Sequence, residues 1–116
     1  MKAFTSIEQS KKLAEILPLE SADMLFANGL VVAKTNEGHK DIKGVFPCWS
    51  LAALLGALPS VITREGKRMF LTLEKAGAYN LYYKSPDRLD ELWETDFEPI
   101  DACYKMILDL HEQKIL

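Results

Sequence analysis

Cysteine, glycine and proline are all scarce in this chain. Its 116 residues include 2 Cys, 6 Gly and 5 Pro. Two cysteines cannot build the disulfide framework of a small secreted domain, and so little glycine and proline argues against a disordered or low-complexity chain. With 48% hydrophobic and 27% charged residues, the composition is globular, and a chain of this length can bury a core without metals or disulfides. We expect one domain over residues 1–116.

The chain also has fewer positive than negative side chains. The net charge is −3, so no overall basic field attracts nucleic acid. The first residues lack the apolar segment of a signal peptide, and we expect a cytoplasmic protein. Residues 45–63 carry no charge, but Pro47 and Pro59 leave room for a helix of only about 11 residues between them, which is too short to cross a membrane.

The spacings of common metal and cofactor sites are missing as well. The sequence has no C-x-x-C or H-x-x-x-H pair, glycine-rich phosphate loop, G-x-S-x-G or EF-hand loop. Cys103 and His111 lie on one predicted helix, about 12 Å apart along its axis, and so cannot share a zinc ion. We therefore expect neither a metal nor a cofactor.

Two features could support catalysis. Cys48 begins a predicted helix, whose free N–H groups can lower the pKa of a thiol, and His39 could serve as its base. We favour the alternative that Cys48 is a small buried hydrophobic residue. The acidic segment 87–101 holds seven acids and one base, Arg88, and we interpret it as the solvated side of a short helix. The sequence thus predicts a protein that is not an enzyme.

Helical periodicity and capping residues predict three main helices and a short fourth one. The main helices span 6–17, 47–58 and 99–113, and the short one begins at Ser85-Pro86. The apolar side of the short helix consists of Leu89, Leu92 and Trp93.

The helix at 47–58 is apolar on every side, which indicates that it is buried or paired. One stripe is leucine-rich, and the other consists of small residues: Ala52, Ala53, Gly56 and Ala57. We expect either other helices or a second copy, in a homodimer, to cover this small stripe.

Two turns predict antiparallel hairpins. Asn28-Gly29 favours a type I′ turn that pairs Ala27 with Leu30, and Asp23 would meet Lys34 at the open end. Both faces of this hairpin are apolar, so we expect it to be covered on both sides or central in its sheet. Residues 35–44 form a loop. A hairpin over 68–84 turns at Lys75-Ala76-Gly77 and pairs Leu71 with Leu81.

The predicted fold class is therefore α+β. Two antiparallel β-hairpins pack against three main helices, and the order of elements is α-β-β-α-β-β-α-α.

The hairpin over 68–84 also provides a candidate interaction surface. Phe70 and Tyr82 lie on its second face, with Arg68 and Lys84 near its open end. Aromatic side chains on an open sheet can stack on nucleic-acid bases. The alternative is that another element covers this face, and we favour it because exposed aromatic patches are uncommon.

Three stretches carry a resemblance to a known group of proteins. They are SIEQSKKLAEILPLESADM at 6–24, PCWSLAALLGALP at 47–59 and DACYKMILDLHEQKIL at 101–116. Together they resemble a family of short uncharacterised proteins in gut bacterial genomes that is associated with mobile or accessory DNA. The resemblance implies a bacterial, cytoplasmic protein. It brings no activity, cofactor or functional residue with it.

Three functional hypotheses follow. The first is a small non-enzymatic binding or regulatory protein that acts through protein–protein contacts. The second is a nucleic-acid-associated accessory protein that uses the aromatic sheet face, although the acidic balance counts against it. The third is an enzyme built on Cys48 or on the acidic segment 87–101.

Overall fold

A computed structural model describes residues 1–27, 29–33, 45–87 and 91–116. This part of the chain forms three α-helices, seven strands and a 3-10 turn at Leu19–Ser21. In chain order the elements are α1 (Ile7–Ala14), β1 (Met24–Ala27), β2 (Leu30–Ala33), β3 (Val45–Cys48), α2 (Leu51–Ala57), β4 (Val61–Arg64), β5 (Lys67–Ala76), β6 (Ala78–Lys84), β7 (Glu91–Asp96) and α3 (Pro99–Glu112). The predicted α+β class is confirmed, but the predicted order of elements lacks three of the strands.

The strands form two antiparallel sheets, with the orders β2-β1-β3 and β4-β5-β6-β7. The first hairpin has the predicted register, with Met24 opposite Ala33 and Ala27 opposite Leu30. Gly29 has the positive φ, +79°, that its turn requires. Residue 28 and the predicted partner of Asp23, Lys34, lie outside the described residues.

Of the two strands of the first hairpin, only β1 is central in its sheet. Strand β2 is an edge, where Leu30 is 68% exposed and Val32 is 42% exposed. The prediction of cover on both sides is therefore wrong for β2.

The second hairpin is shifted by two residues from its predicted register. Leu71 lies opposite Tyr83, not Leu81, because the turn closes tightly around Gly77 with Ala76 opposite Ala78. Gly77 has a φ of +76°, as predicted for a left-handed position. Because side chains alternate with a period of two, a two-residue shift leaves every side chain on its predicted face.

The sequence predicts none of the strands β3, β4 and β7: β3 overlaps the start of the helix predicted over 47–58, and β7 replaces the predicted short helix. Pro47 lies in β3, an edge strand where a missing N–H is tolerated. Helix α2 therefore begins later than predicted, after Ser50, whose Oγ accepts a hydrogen bond from the Ala53 N–H at 3.2 Å. In β7, Leu92 is buried and Trp93 is exposed, so the two point to opposite sides, as strand residues do, and not to one helix side.

Helices α1 and α3 lie where the sequence predicts them. Ser6 and Gln9 form the expected capping box, with hydrogen bonds of 3.0 and 3.1 Å, although α1 ends at Ala14 rather than at residue 17. Helix α3 starts at Pro99 and supplies much of the core. The fully buried side chains of this core include Trp49, Leu54, Met69, Leu81, Tyr83, Ile100, Met106, Ile107 and Leu110.

Helix α2 packs against the core through Leu54, which is fully buried, and through Ala53 and Ala57 of the small stripe, which are partly buried. Ala52 and Gly56 of the small stripe are exposed. A Cβ added at Gly56 would meet no atom within 4 Å. No helix in the described ranges is long and apolar enough to cross a membrane.

Candidate interaction surface

The four-stranded sheet has one face in the core and one face open. Met69, Leu81, Tyr83 and Leu92 point from β5, β6 and β7 into the core, towards α3. The residues between them point the other way. Phe70 of β5 and Trp93 of β7 are 43% and 52% exposed. The preferred interpretation, that another element covers this face, is therefore wrong for Phe70, and the sheet presents an exposed aromatic surface.

This surface, here called the aromatic face, consists of Phe70, Tyr82 and Trp93 with Arg68 and Lys84. The three rings come from three adjacent strands. Tyr82 lies directly opposite Trp93, and Phe70 lies directly opposite Lys84. The rings of Tyr82 and Trp93 are nearly parallel, at 9°, with centroids 6.1 Å apart. The indole Nε1–H of Trp93 donates a hydrogen bond of 3.3 Å to Asn80 Oδ1, which helps to fix the orientation of the ring.

The two cations of the aromatic face lie over its rings. Lys84 Nζ is 4.0 Å from the centroid of the Tyr82 ring, and Arg68 Cζ is 5.9 Å from that of Phe70. Both distances are typical of cation–π contacts. Within the described part of the chain, neither cation has a carboxylate oxygen within the 4.0 Å of an ion pair.

Glu74 and Glu91 lie on the same side of the sheet. Glu74 is on β5, nearer the hairpin turn, and Glu91 is on the edge strand opposite Lys84. Desolvation, together with these two carboxylates, raises the pKa of Tyr82. The open side of the sheet therefore carries equal numbers of these positive and negative groups, and is not basic overall.

Arg68 also lines a shallow depression of about 250 Å³ at the open end of the β5–β6 hairpin, with Lys67, Ser85, Pro86 and Asp87. Lys67 Nζ lies 3.3 Å from Asp87 Oδ2. Because that lysine is already neutralised, the depression is not an obvious anion site.

Neither cysteine has the surroundings of a nucleophile. Cys48 is the last residue of β3, not the start of a helix, so the predicted effect of helix N–H groups on its thiol is absent. Both cysteines are fully buried. Burial, and then the charge of Asp23, raises the pKa of Cys48 to about 11, and burial raises that of Cys103 to about 12. His39 lies outside the described residues.

In the acidic segment 87–101, the prediction of a helix with a solvated side is wrong for residues 91–96, which form β7. Two of its carboxylates, those of Asp96 and Asp101, join neighbouring segments of the chain. Asp96 accepts hydrogen bonds from the Glu98 N–H and from Lys105, and Asp101 accepts from Lys2 Nζ and Gln9 Nε2. In the described ranges, no three His, Cys, Asp or Glu residues are grouped so that they could hold a metal ion.

Sequence reasoning found Phe70, Tyr82, Arg68 and Lys84 but missed Trp93, the most exposed ring of the aromatic face. The spacing of Leu89, Leu92 and Trp93 suggested a helix. The contrary signal was the turn sequence Ser85-Pro86-Asp87 after a strand, followed by a segment with an aromatic and a β-branched residue, which is typical of a further strand.

No protein-family model matches this sequence, and no curated protein or solved structure is significantly similar to it. The resemblance to the gut-bacterial family therefore stays a prediction, and the function has to be argued from the aromatic face itself.

Proposed function

We propose that this protein is a non-catalytic binding protein and that the aromatic face is its binding surface. The observation that carries the proposal is the exposure of Phe70 and Trp93 beside Tyr82 on one open sheet. Contiguous apolar surface that remains exposed in a folded protein commonly marks an interaction site. Trp, Tyr and Arg are also the residues most enriched among those that dominate binding energies.

The scaffold behind the aromatic face supports this proposal. The backbone of β5, β6 and β7 is held by continuous antiparallel pairing, and the opposite side of these strands is packed into the core. Rings held on a rigid sheet lose little conformational entropy on binding, so more of the contact energy appears as affinity.

The setting that we propose is the bacterial cytoplasm. Cys48 and Cys103 are both free thiols, which fits a reducing compartment. A protein partner, the leading hypothesis from the sequence, and a nucleic acid, its alternative, would both use the rings. The two hypotheses differ in how much the affinity depends on the charged side chains of the surface.

The proposal is tested by comparing which partners the wild-type protein and two variants retain from cells of the source organism. We expect wild-type protein to retain a partner that the double variant Tyr82→Ala/Trp93→Ala loses. Phe97→Ala is the matched control, because Phe97 is 81% exposed but lies between β7 and α3, outside the sheet face. Each variant is first checked by thermal melting. A partner that survives the double variant, or that Phe97→Ala loses equally, would show that the aromatic face is not the binding surface.

A further inference from the structure

We infer that the ligand of the aromatic face is a single-stranded nucleic acid, whose bases stack on the rings and whose phosphates pair with Arg68 and Lys84. This inference rests on the proposed function and names its ligand. Single-strand binding proteins combine exposed aromatic rings with nearby cations, since every base has a flat face and every nucleotide a negative charge. The aromatic face offers both groups on adjacent strands.

The positions of the side chains define a track across the sheet. The track begins at Arg68, passes Phe70 and Lys84, and ends at Tyr82 and Trp93 on the neighbouring strands. The rings of Tyr82 and Trp93 are stacked and nearly parallel, so they form an aromatic pair on adjacent strands to which a base can add. Glu74 lies towards the hairpin turn and Glu91 on the outer strand, so each carboxylate borders the track without interrupting it.

Trp93 is the ring best prepared to receive a base. It is the most exposed of the three, its orientation is fixed by Asn80, and the cations lie over Phe70 and Tyr82 instead. Lys84 covers Tyr82 at 4.0 Å, so a base can stack there only after the ammonium group has moved. The lysine stem is flexible enough to carry that group to a phosphate.

Arg68 and Lys84 favour a ligand that carries negative charge. Arg68 and Lys84 have no ion pair within the described ranges, so a phosphate can reach them without displacing a carboxylate. The net charge of −3 opposes long-range attraction, and we therefore expect weak binding that depends mainly on stacking. Two neutralised phosphates predict a modest salt dependence, with log K falling against log salt with a slope of about −1.4.

The test is a titration of fluorescently labelled single-stranded oligo(dT) and oligo(U) with the protein at low salt, and a duplex of equal length is the control. The protein concentration extends to about 100 μM, because the weakest non-specific binding has dissociation constants of about this value. We expect Trp93→Ala to weaken binding by roughly 5- to 100-fold, Trp93→Phe to restore much of it, and Phe97→Ala to change nothing. Lys84→Gln should halve the salt slope, and Glu91→Gln should tighten binding.

Absence of binding, binding that Trp93→Ala leaves intact, or equal binding of the duplex would overturn the inference. The experiments also distinguish a wrong ligand from a wrong binding surface. If the partner retained from cells depends on Tyr82 and Trp93 but survives nuclease treatment, and no oligonucleotide binds, then the aromatic face binds protein. In that case the proposed function stands and the nucleic-acid ligand is wrong.

Discussion

At the scale of single residues, the two thiols differ from reactive cysteines in both access and charge. A thiol reacts as its thiolate, so a pKa of about 11 for Cys48 and about 12 for Cys103 leaves very little reactive form at neutral pH. Both side chains are also fully buried. Neither thiol therefore has the exposure or the pKa that is typical of a reactive cysteine.

We predict that a thiol reagent labels both cysteines slowly in native protein at neutral pH and rapidly after denaturation. The measurement is the mass of the labelled protein against time, with digestion to assign each site. Fast native labelling of Cys48 alone would revive the enzyme hypothesis.

At the scale of elements, the connection from β7 to α3 depends on ionised carboxylates. Hydrogen bonds from the Glu98 N–H and from Lys105 lower the pKa of Asp96. A carboxyl group whose folded pKa is lowered stabilises the fold above its unfolded pKa, about 3.9. This contribution is lost as the pH falls through the folded value. Glu94, two residues earlier, behaves in the opposite way, because burial and the charge of Asp109 raise its pKa.

We predict that Asp96→Asn lowers the free energy of unfolding at neutral pH by about 0.2–1 kcal/mol, as expected for a partly exposed ion pair, and by less below pH 4. Glu94→Gln is the matched control, and it should stabilise the protein slightly at neutral pH. Chemical denaturation of both variants, from neutral pH to below pH 4, measures the free energy of unfolding. Equal losses for Asp96→Asn at every pH would contradict the assigned cause.

The sequence predictions were more accurate for some elements than for others. Helices α1 and α3 were predictable because their signals are local: the capping box at Ser6 and Gln9, and Pro99 at a helix start. Strand β7 was harder to predict, since the adjacent apolar residues Leu92 and Trp93 fit a helix as well as a strand, and its pairing with β6 settles the matter. The aromatic face was predicted in part for the same reason: Phe70 and Tyr82 share a hairpin, whereas Trp93 joins them through that pairing.

At the scale of the whole molecule, one core joins α2, α3 and the four-stranded sheet, and Leu54 is fully buried in it. We predict that Leu54→Ala lowers the free energy of unfolding by about 2–5 kcal/mol, the usual cost of a cavity at a buried leucine. Leu30→Ala, at a side chain that is 68% exposed, should cost less than about 1 kcal/mol. Chemical denaturation measures both, and similar costs would mean that the core is misplaced.

The homodimer hypothesis is also tested at this scale. Ala52 and Gly56 are exposed, and the space at Gly56 is open, so we expect that Gly56→Leu does not overpack the core. In a monomer we predict that it stabilises the helix by about 0.5–1 kcal/mol and leaves the mass at 13.1 kDa. Light scattering and melting measure these values. A wild-type mass of twice this value that Gly56→Leu halves would establish a dimer through α2.

The position of α3 along the chain has a consequence for biosynthesis. Its buried side chains, among them Ile100, Met106 and Ile107, fill the centre of the core, yet they are translated after all seven strands. The strands can pair early, since most of them are joined to their neighbours by short connections, but the core side of the four-stranded sheet lacks its contacts with α3 until α3 leaves the ribosome. Packing of the four-stranded sheet is therefore completed only after α3 has been synthesised, and until then the nascent sheet exposes apolar residues on both of its faces.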